Sequence, residues 1–229
     1  MNMYRRPQQL KAIIFDIDST LYSHKEYALQ QNQIQIHHYA QLEGISDQEA
    51  RQRIEDTQRN WEEKSGGKAL SLGNTFVQLG YSIEESIRWR EELLEPADFL
   101  VKDHKLVATL ESLRQHYQLA CITNNPVLVG RKTLAALGVE EFFPLVIGLD
   151  TCKVSKPHPA PFLLAVEKLG CRAEHCLSVG DRFNIDIELP LELGMGGAFS
   201  GWSGGCIPDS SAVDLIPSVY HTKIHEFPV

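Results

Sequence analysis

Two aspartates, Asp16 and Asp18, follow a short apolar run at residues 13–15. In an extended chain, side chains two residues apart point to the same side, so these two carboxylates would lie close together at the end of a buried strand. Like charges at this spacing repel each other, and a bound cation or a shared proton would relieve the repulsion. Asp-x-Asp is also common in turns, so this run alone is equally compatible with a turn that carries no chemistry.

More short polar side chains stand at the end of a second apolar run, at residues 119–123. Thr123, the last residue of that run, is followed by Asn124 and Asn125. The next helix is expected to begin directly after them, and backbone amides at the start of a helix can hold an anion. The sequence therefore indicates an anion-binding site at this strand end.

One lysine and two further acids complete the set. Lys156 precedes Pro157, which biases the lysine to an extended conformation and gives its side chain a fixed reach. Asp181 follows an apolar run at residues 176–180, and Asp186 lies five residues later. Open α/β sheets gather their ligand sites at the carboxyl ends of the strands. Three acids that converge there with one lysine predict a site for a hard cation that faces a phosphate.

Short, nearly uniform apolar runs alternate with segments of helical period, and they predict the elements that carry these residues. The runs lie at residues 11–15, 119–123, 145–149, 176–180 and 195–199. Uniform apolar runs are typical of strands that are covered on both faces, which favours a parallel sheet. Gly138, Gly170 and Gly194 are placed to end the intervening helices. The pattern predicts an α/β fold with a doubly wound parallel sheet, a Rossmann-like core.

The stretch at residues 22–96 interrupts this alternation with long polar helical segments and no clear strand pattern. Two Ser-x-x-Glu sequences, which begin at Ser46 and Ser82, have the spacing of a capping box at a helix start. A further helix is predicted at residues 27–42. We therefore predict an all-helical cap domain of three to four helices at residues 22–96. It is inserted into an α/β catalytic core domain formed by residues 1–21 and 97–229.

Taken together, the motifs resemble those of the haloacid dehalogenase-like superfamily of Mg²⁺-dependent phosphatases. The resemblance rests on the order Asp-x-Asp-x-Thr, a strand-end Thr, Lys-Pro and Gly-Asp-x4-Asp, and it covers residues 12–199. Four motifs in this order, each at a strand end, are highly specific. The helical insertion matches the helical-cap subfamily. Ser19 departs from the family pattern, which usually has glycine or asparagine there, but a small polar residue should still permit the tight turn.

The resemblance implies a role for each matching residue. Asp16 matches the nucleophile that becomes phosphorylated, and Asp18 matches the general acid/base. Lys156 matches the catalytic lysine that steadies the charge of the nucleophile and the phosphoryl group. Thr123 matches the phosphate-binding hydroxyl, and Asn124 beside it is expected to bind phosphate or substrate.

The resemblance also implies Mg²⁺ as cofactor. Asp16, the main-chain carbonyl of Asp18, and Asp181 match the metal ligands, while Asp186 matches a second acid whose role varies within the family. The implied reaction is the hydrolysis of a phosphomonoester through an aspartyl phosphate on Asp16.

A narrower resemblance concerns the substrate. The Asp-Ile-Asp-Ser-Thr-Leu-Tyr sequence that begins at Asp16, together with Thr123 and Asn124, resembles the pyrimidine 5′-nucleotidase branch, and phosphoglycolate phosphatases share nearly the same core residues. A nucleoside monophosphate or phosphoglycolate is therefore the expected substrate. In this superfamily the cap selects the substrate. Trp61 and Trp89, at helical positions of the cap, are expected to be part of its core.

Other activities stay open at this point. A phosphomutase of the same fold would return the phosphate from Asp16 to its substrate and would need a cap that excludes water. A dehalogenase would not need Asp18, and a phosphonate-cleaving enzyme would need a cap lysine such as Lys25, Lys64 or Lys68 to form an imine. A binding protein that kept the fold need not retain the catalytic residues together, whereas this chain retains them.

The composition of the chain limits the classes of molecule that it is expected to bind. The 229 residues include 22 Lys and Arg against 30 Asp and Glu, a net charge of −8 that repels a nucleic-acid backbone on average. No run approaches the roughly 20 apolar residues of a membrane span, and the N-terminus lacks a signal peptide's apolar segment. The cysteines have no metal spacing and are expected to be reduced, mostly core thiols: Cys121, Cys152, Cys171, Cys176 and Cys206. We expect a cytoplasmic monomer or homodimer that acts on a small phosphorylated metabolite and binds neither polymeric nucleic acid nor membrane.

Overall fold

A computed structural model describes residues 2–67 and 70–200. The chain divides into two compact units, one formed by Met1–His24 with Leu100–Val229 and the other by Lys25–Phe99. Lys68 and Cys206, both named above, lie outside the described residues. Within the described part of the chain, no helix is both long enough and apolar enough to span a membrane.

The elements follow in chain order. The strands are β1 (Asn2–Arg5), β2 (Ala12–Phe15), β3 (Gln118–Ile122), β4 (Leu145–Ile147), β5 (Cys176–Gly180) and β6 (Gly196–Phe199). The helices are α1 (Lys25–Glu43), α2 (Asp47–Lys64), α3 (Leu72–Gln78), α4 (Ile83–Leu93), α5 (His104–Arg114), α6 (Val127–Ala136), α7 (Leu149–Cys152), α8 (Pro159–Lys168) and α9 (Glu188–Glu192). A π-helical turn at Phe183–Ile187 leads directly into α9.

The strands of the first unit form one sheet in the order β1-β6-β5-β2-β3-β4. All four residues of β2 are buried, and β2 pairs in parallel with β5 on one side and with β3 on the other. Phe15, the last residue of β2, lies opposite Cys121 in β3 and Val179 in β5, so the three strands end at nearly the same level. The polar residues that follow these strands therefore leave the sheet along one edge.

The predicted doubly wound parallel sheet is confirmed for five of the six strands, with an antiparallel strand added at its edge. β1 pairs with β6 in the antiparallel direction. Its sequence, Asn-Met-Tyr-Arg, has only four residues with polar residues at both ends. An edge strand of this kind gives no apolar run, so the sequence did not predict it.

Helices of the first unit pack on the sheet around a shared apolar core, in which Ile14 and Ile122 of the sheet meet Phe162 of α8. Gly138 and Gly170 lie just after α6 and α8 and have φ values of 73° and 61°. This left-handed conformation is strained for other residues and ends a helix, so the predicted glycine stops are confirmed.

The second unit is built from α1–α4 around an aromatic core. Tyr39, Phe76, Tyr81 and Trp89 form a cluster with ring centroids 4.8–5.8 Å apart. Its described residues form helices and turns without a strand, as the insertion pattern predicted. The sequence did not resolve α3 as a separate helix, since it is only seven residues long.

The two tryptophans of this unit differ. Trp89 is buried in the core, as expected, but Trp61 is 37% exposed. The core prediction is therefore wrong for Trp61. Helix α2 buries only Ala50 and Ile54, which lie in its first half, so the end that carries Trp61 is left near the surface.

The two predicted capping boxes also differ. At α4, the Ser82 hydroxyl accepts from the Glu85 amide at 3.1 Å, and the Ser82 amide donates to the Glu85 carboxylate at 2.7 Å. At α2, the Ser46 hydroxyl accepts from the Glu49 amide at 3.2 Å, but the Glu49 carboxylate accepts from Arg53 instead. The box at α4 is therefore complete, and the box at α2 is only half formed because Arg53, one turn later, attracts the glutamate.

We predict that Ser82→Ala lowers the free energy of unfolding by about 1 kcal/mol, the typical value of an N-cap. Glu85→Ala should also destabilise the protein because it removes the second half of the box. Glu49→Ala is the matched control, and it should cost less because Glu49 makes only an exposed ion pair. Urea titrations followed by circular dichroism measure all three. Equal losses for Glu85→Ala and Glu49→Ala would contradict the difference between the two boxes.

Candidate active site

The turn that carries Asp16 and Asp18 begins as β2 ends. The Asp16 amide donates to the carbonyl of Val179 at 2.8 Å and so extends the pairing with β5 by one residue. The amide of Leu21 then donates back to the carbonyl of Ile17 at 3.0 Å, which closes a tight turn. The chain is therefore not extended past Asp18, and the two carboxylates have different surroundings.

Ser19 occupies the strained position of this turn. Its φ of 61° lies in the left-handed region, which costs a residue with a side chain roughly 1–2 kcal/mol unless it is glycine or, to a lesser degree, asparagine or aspartate. This conformation explains why glycine or asparagine suits the position. It also shows that serine permits the turn, as we expected.

Asp16 is buried and its two oxygens have separate donors. Lys156 donates to Oδ1 at 2.7 Å, and the Thr20 hydroxyl donates to Oδ2 at 3.0 Å. Burial raises the pKa of Asp16 to about 7; the positive charge of Lys156 opposes the rise, and the carboxylates of Asp186 and Asp18 add to it. The ionised form of Asp16 therefore depends on positive charge close by.

Lys156 supplies that charge. Its ammonium lies between Asp16 and Asp186, at 2.7 Å and 2.6 Å from one oxygen of each, and all three side chains are at most 3% exposed. Burial alone disfavours a charged lysine, but the attraction of the two carboxylates outweighs it and raises the pKa of Lys156. The lysine is thus held as a cation inside the protein.

Asn124 positions the segment from which Lys156 projects. Its side-chain oxygen accepts from the Lys156 amide at 2.7 Å, and its side-chain nitrogen donates to the Lys156 carbonyl at 3.2 Å. Both ends of the Asn124 amide are therefore bound to the backbone of one residue 32 positions away. We expected Asn124 to bind phosphate or substrate, and these contacts instead favour a role in holding Lys156.

Asp186 enters the site through the π-helical turn after β5. Its Oδ2 accepts from the Arg182 amide at 3.1 Å, and its carbonyl accepts from the Ser178 hydroxyl at 2.7 Å. Gly180 makes this approach possible, because a side chain at residue 180 would collide with the Cβ of Asp186. Residue 180, the glycine of the Gly-Asp pair, therefore has no room for a side chain.

The acids could hold a cation. One carboxylate oxygen each from Asp16, Asp181 and Asp186 lies within 4.8 Å of the others. Burial raises the pKa of Asp181, and its Oδ1 is buried without a hydrogen bond in the described part of the chain, with the Arg182 Nε 3.7 Å away. Hard divalent cations prefer such carboxylate oxygens. The residues therefore fit Mg²⁺. Asp186, expected only as a secondary acid, is one of the three clustered acids.

Asp18 has a different set of partners. Tyr22 donates to Oδ1 at 2.6 Å, and Asn125 donates through Nδ2 to Oδ2 at 3.0 Å, with the Thr123 hydroxyl 3.4 Å from Oδ2. Its carboxylate is not one of the three that lie within 4.8 Å of one another. Sequence reasoning did not assign Tyr22 or Asn125 to Asp18. The spacing of four residues between Asp18 and Tyr22 was the local feature that could have indicated their contact.

The start of α6 differs from expectation. We expected its backbone amides to be open to an anion. The Val127 amide instead donates to the Asp150 carboxylate at 2.8 Å, and the Asn125 amide donates to the Thr123 hydroxyl at 3.0 Å. Two amides of this segment are therefore already bound. Asp150 lies 23 residues after Val127, so no local pattern could have indicated this contact.

Known proteins resemble this chain in sequence and in fold. It is 36% identical to a phosphoglycolate phosphatase of Pectobacterium atrosepticum over 128 residues, which cover 51% of this chain and 54% of that protein. It is 43% identical to a phosphoglycolate phosphatase of Colwellia psychrerythraea over 68 residues, 30% of each chain. The chain thus spans about half or less of these curated relatives.

A solved structure extends the similarity over nearly the whole chain. The crystal structure of a HAD phosphatase from Thermococcus onnurineus superposes with a TM-score of 0.63 at 26% identity, covering 87% of this chain and 90% of that one.

The family model for haloacid dehalogenase-like hydrolases matches residues 10–194, which contain every element that carries the site described above. The chain belongs to the haloacid dehalogenase-like hydrolase family.

Proposed function

We propose that this protein is a Mg²⁺-dependent phosphatase that hydrolyses phosphomonoesters of small metabolites through an aspartyl phosphate on Asp16. The observation that carries the proposal is the buried contact of Asp16 with Lys156, beside a cluster of acids that fits a cation. Similarity to proteins named phosphoglycolate phosphatases, and to a HAD phosphatase of solved structure, supports the same reaction class.

In this proposal Asp16 is the nucleophile. Its carboxylate must approach a phosphate dianion, so nearby positive charge has to offset the repulsion. The Lys156 ammonium, 2.7 Å from Asp16, supplies part of that charge. Thr20 holds the other oxygen of Asp16 and leaves the carboxylate with a fixed orientation.

Asp18 acts as general acid and base. It protonates the leaving alkoxide when Asp16 becomes phosphorylated, and it then takes a proton from the water that hydrolyses the aspartyl phosphate. A well-placed acid/base group typically accelerates such a step ~10²–10⁴-fold. The hydrogen bonds that Asp18 accepts from Tyr22, Asn125 and Thr123 hold its carboxylate beside Asp16 and support this role.

The other site residues bind the metal and the phosphate or support Lys156 in this proposal. Asp16, Asp181 and the main-chain carbonyl of Asp18 would hold Mg²⁺, with Asp186 close enough to contribute directly or through water. When bound, Mg²⁺ would supply positive charge that offsets the charge of the phosphoryl oxygens. The Thr123 hydroxyl contacts phosphate, and Asn124 supports Lys156 from behind.

The substrate proposal rests on the relatives and on the insertion. Phosphoglycolate is the first candidate because the curated relatives are named for its hydrolysis, and nucleoside monophosphates are the second. We propose that the helical segment is the cap domain that selects between them, with residues 22–96 as its sequence boundaries. The structural unit Lys25–Phe99 lies three residues later at both ends. Phosphate release from a panel of phosphoglycolate, nucleoside monophosphates and sugar phosphates would rank these substrates.

The metal assignment predicts a thermal shift. Because Asp181 has a buried oxygen without a hydrogen bond in the described chain, Mg²⁺ should stabilise the folded protein. At 100 times the Kd the gain is about 2.7 kcal/mol, which raises the Tm by roughly 5–10 °C. Asp181→Asn should reduce this shift strongly. Asp98→Asn, at an exposed position, is the matched control and should keep it. Equal Mg²⁺ affinities of wild type and Asp181→Asn in calorimetry would count against the site.

The nucleophile assignment predicts loss of activity without loss of fold. Wild type should release phosphate from p-nitrophenyl phosphate when Mg²⁺ is present. Asp16→Asn should fall to background, because a neutral amide of nearly the same shape is a poor nucleophile. Unchanged circular dichroism would show that the variant is folded. Near-native turnover by Asp16→Asn would remove Asp16 from the mechanism.

Asp18→Asn should behave differently. The nucleophile is still present, so an aryl phosphate, whose leaving group needs little protonation, should phosphorylate Asp16 rapidly. The aspartyl phosphate should then be hydrolysed slowly, because the base that takes a proton from the attacking water is missing. Rapid-quench kinetics should show a burst of nitrophenol followed by a slow steady state. If Asp18→Asn lost the first step as completely as Asp16→Asn, the acid/base role would be wrong.

A further inference from the structure

We propose that Tyr22 and Asn125 are positioning residues that fix the orientation of the Asp18 carboxylate, and this rests on the acid/base role proposed for Asp18. Tyr22 donates to Oδ1 at 2.6 Å, and Asn125 donates to Oδ2 at 3.0 Å. Each oxygen therefore has its own donor. Neither donor belongs to the Asp-x-Asp-x-Thr motif that identified Asp18, although Tyr22 ends the longer sequence quoted for the narrower resemblance.

The two donors come from different parts of the fold. Tyr22 follows the tight turn after β2, four residues from Asp18, while Asn125 follows β3 and lies 107 residues away. The parallel pairing of β2 with β3 fixes the distance between these two segments. The Asn125 segment is held further by its main chain, which donates to the Thr123 hydroxyl and accepts from the Leu149 amide at 2.9 Å. Rotation of the Asp18 carboxylate would break both side-chain contacts at once.

The chemistry of the donors suits a group that exchanges protons. A phenol and an amide orient a carboxylate without neutralising its charge, whereas a lysine or arginine would form a stronger, charge-assisted contact. Asp16 shows the contrast, since its Oδ1 accepts from the Lys156 ammonium at 2.7 Å. The contacts with Tyr22 and Asn125 thus fix the direction of the Asp18 carboxylate without adding a charge of their own.

This role predicts a specific kinetic pattern. Proton transfer requires the carboxylate within hydrogen-bond reach of the reacting oxygen, so a carboxylate that rotates more freely should slow the steps that need it. With an aryl phosphate, phosphorylation of Asp16 needs little protonation and should keep its rate. Hydrolysis of the aspartyl phosphate needs Asp18 as a base and should slow.

The test uses Tyr22→Phe and Asn125→Ala in the full chain with Mg²⁺ and p-nitrophenyl phosphate. Rapid-quench kinetics should show an unchanged burst rate, hydrolysis slowed about tenfold for each variant, and more phosphoenzyme trapped by acid. The KM for p-nitrophenyl phosphate should not rise, because the proposal gives neither residue a contact with substrate. Tyr81→Phe is the matched control: it removes a tyrosine hydroxyl that donates to the Glu43 carboxylate at the same 2.6 Å, in the helical unit, and should leave the kinetics unchanged.

A double-mutant cycle separates positioning from general structural support. In an Asp18→Asn background, Tyr22→Phe should slow hydrolysis no further, because the group through which it acts is already gone. An equal loss in both backgrounds would overturn the proposal, as would a raised KM with normal hydrolysis, which would make Tyr22 a substrate contact. If one variant fails to fold, the other carries the test. Normal hydrolysis by Asp18→Asn itself would instead refute the acid/base role on which the proposal rests.

Discussion

The arrangement of the site depends on one buried ammonium held between two carboxylates. Lys156 lies within 2.7 Å of both Asp16 and Asp186, and none of the three side chains is more than 3% exposed. Removing a charge from water costs several kcal/mol per ion, so none of these groups could stay ionised there alone. Removing the ammonium would leave two buried carboxylates without a compensating charge, which is strongly destabilising. Each of the three therefore fixes the charge and the place of the other two.

The surrounding backbone is organised to make this contact. β2 and β5 are neighbours and deliver Asp16 and the segment of Asp186 to the same edge of the sheet. Gly180 lets Asp186 approach closely, and Asn124 grips the backbone of Lys156 from the end of β3. The ends of β2 and β5 thus bring in the two acids, and the end of β3 holds the segment between α7 and α8 that carries Lys156. Such sharing explains why the functional residues are far apart in sequence.

The sequence predicted the features that have a local cause. Uniform apolar runs predicted β2, β3 and β5 closely, because a strand covered on both faces needs apolar residues at every position. The acids after β2 and β5 could be placed at one edge for the same reason. The glycines after α6 and α8 were equally local, since a left-handed φ directly favours glycine.

Contacts between distant segments could not be predicted in this way. The hydrogen bonds from Asn124 to Lys156 and from Val127 to Asp150 join residues 32 and 23 positions apart, and neither leaves a periodic signal. The prediction of free amides at α6 treated that segment as if its polar groups had no tertiary partner. The half-formed box at α2 has a similar cause, because Arg53 competes for Glu49.

The two aspartates after β2 show how neighbours in sequence can acquire different chemistry. Asp16 is next to a cation, and burial raises its pKa to about 7. Asp18, two residues on, lies within the tight turn and accepts hydrogen bonds from a phenol and an amide. Enzymes commonly divide the work of two carboxylates by giving them different environments. The left-handed Ser19 helps to close the turn after Asp18, so a strained backbone position contributes to the separation of a proposed nucleophile from a proposed acid/base.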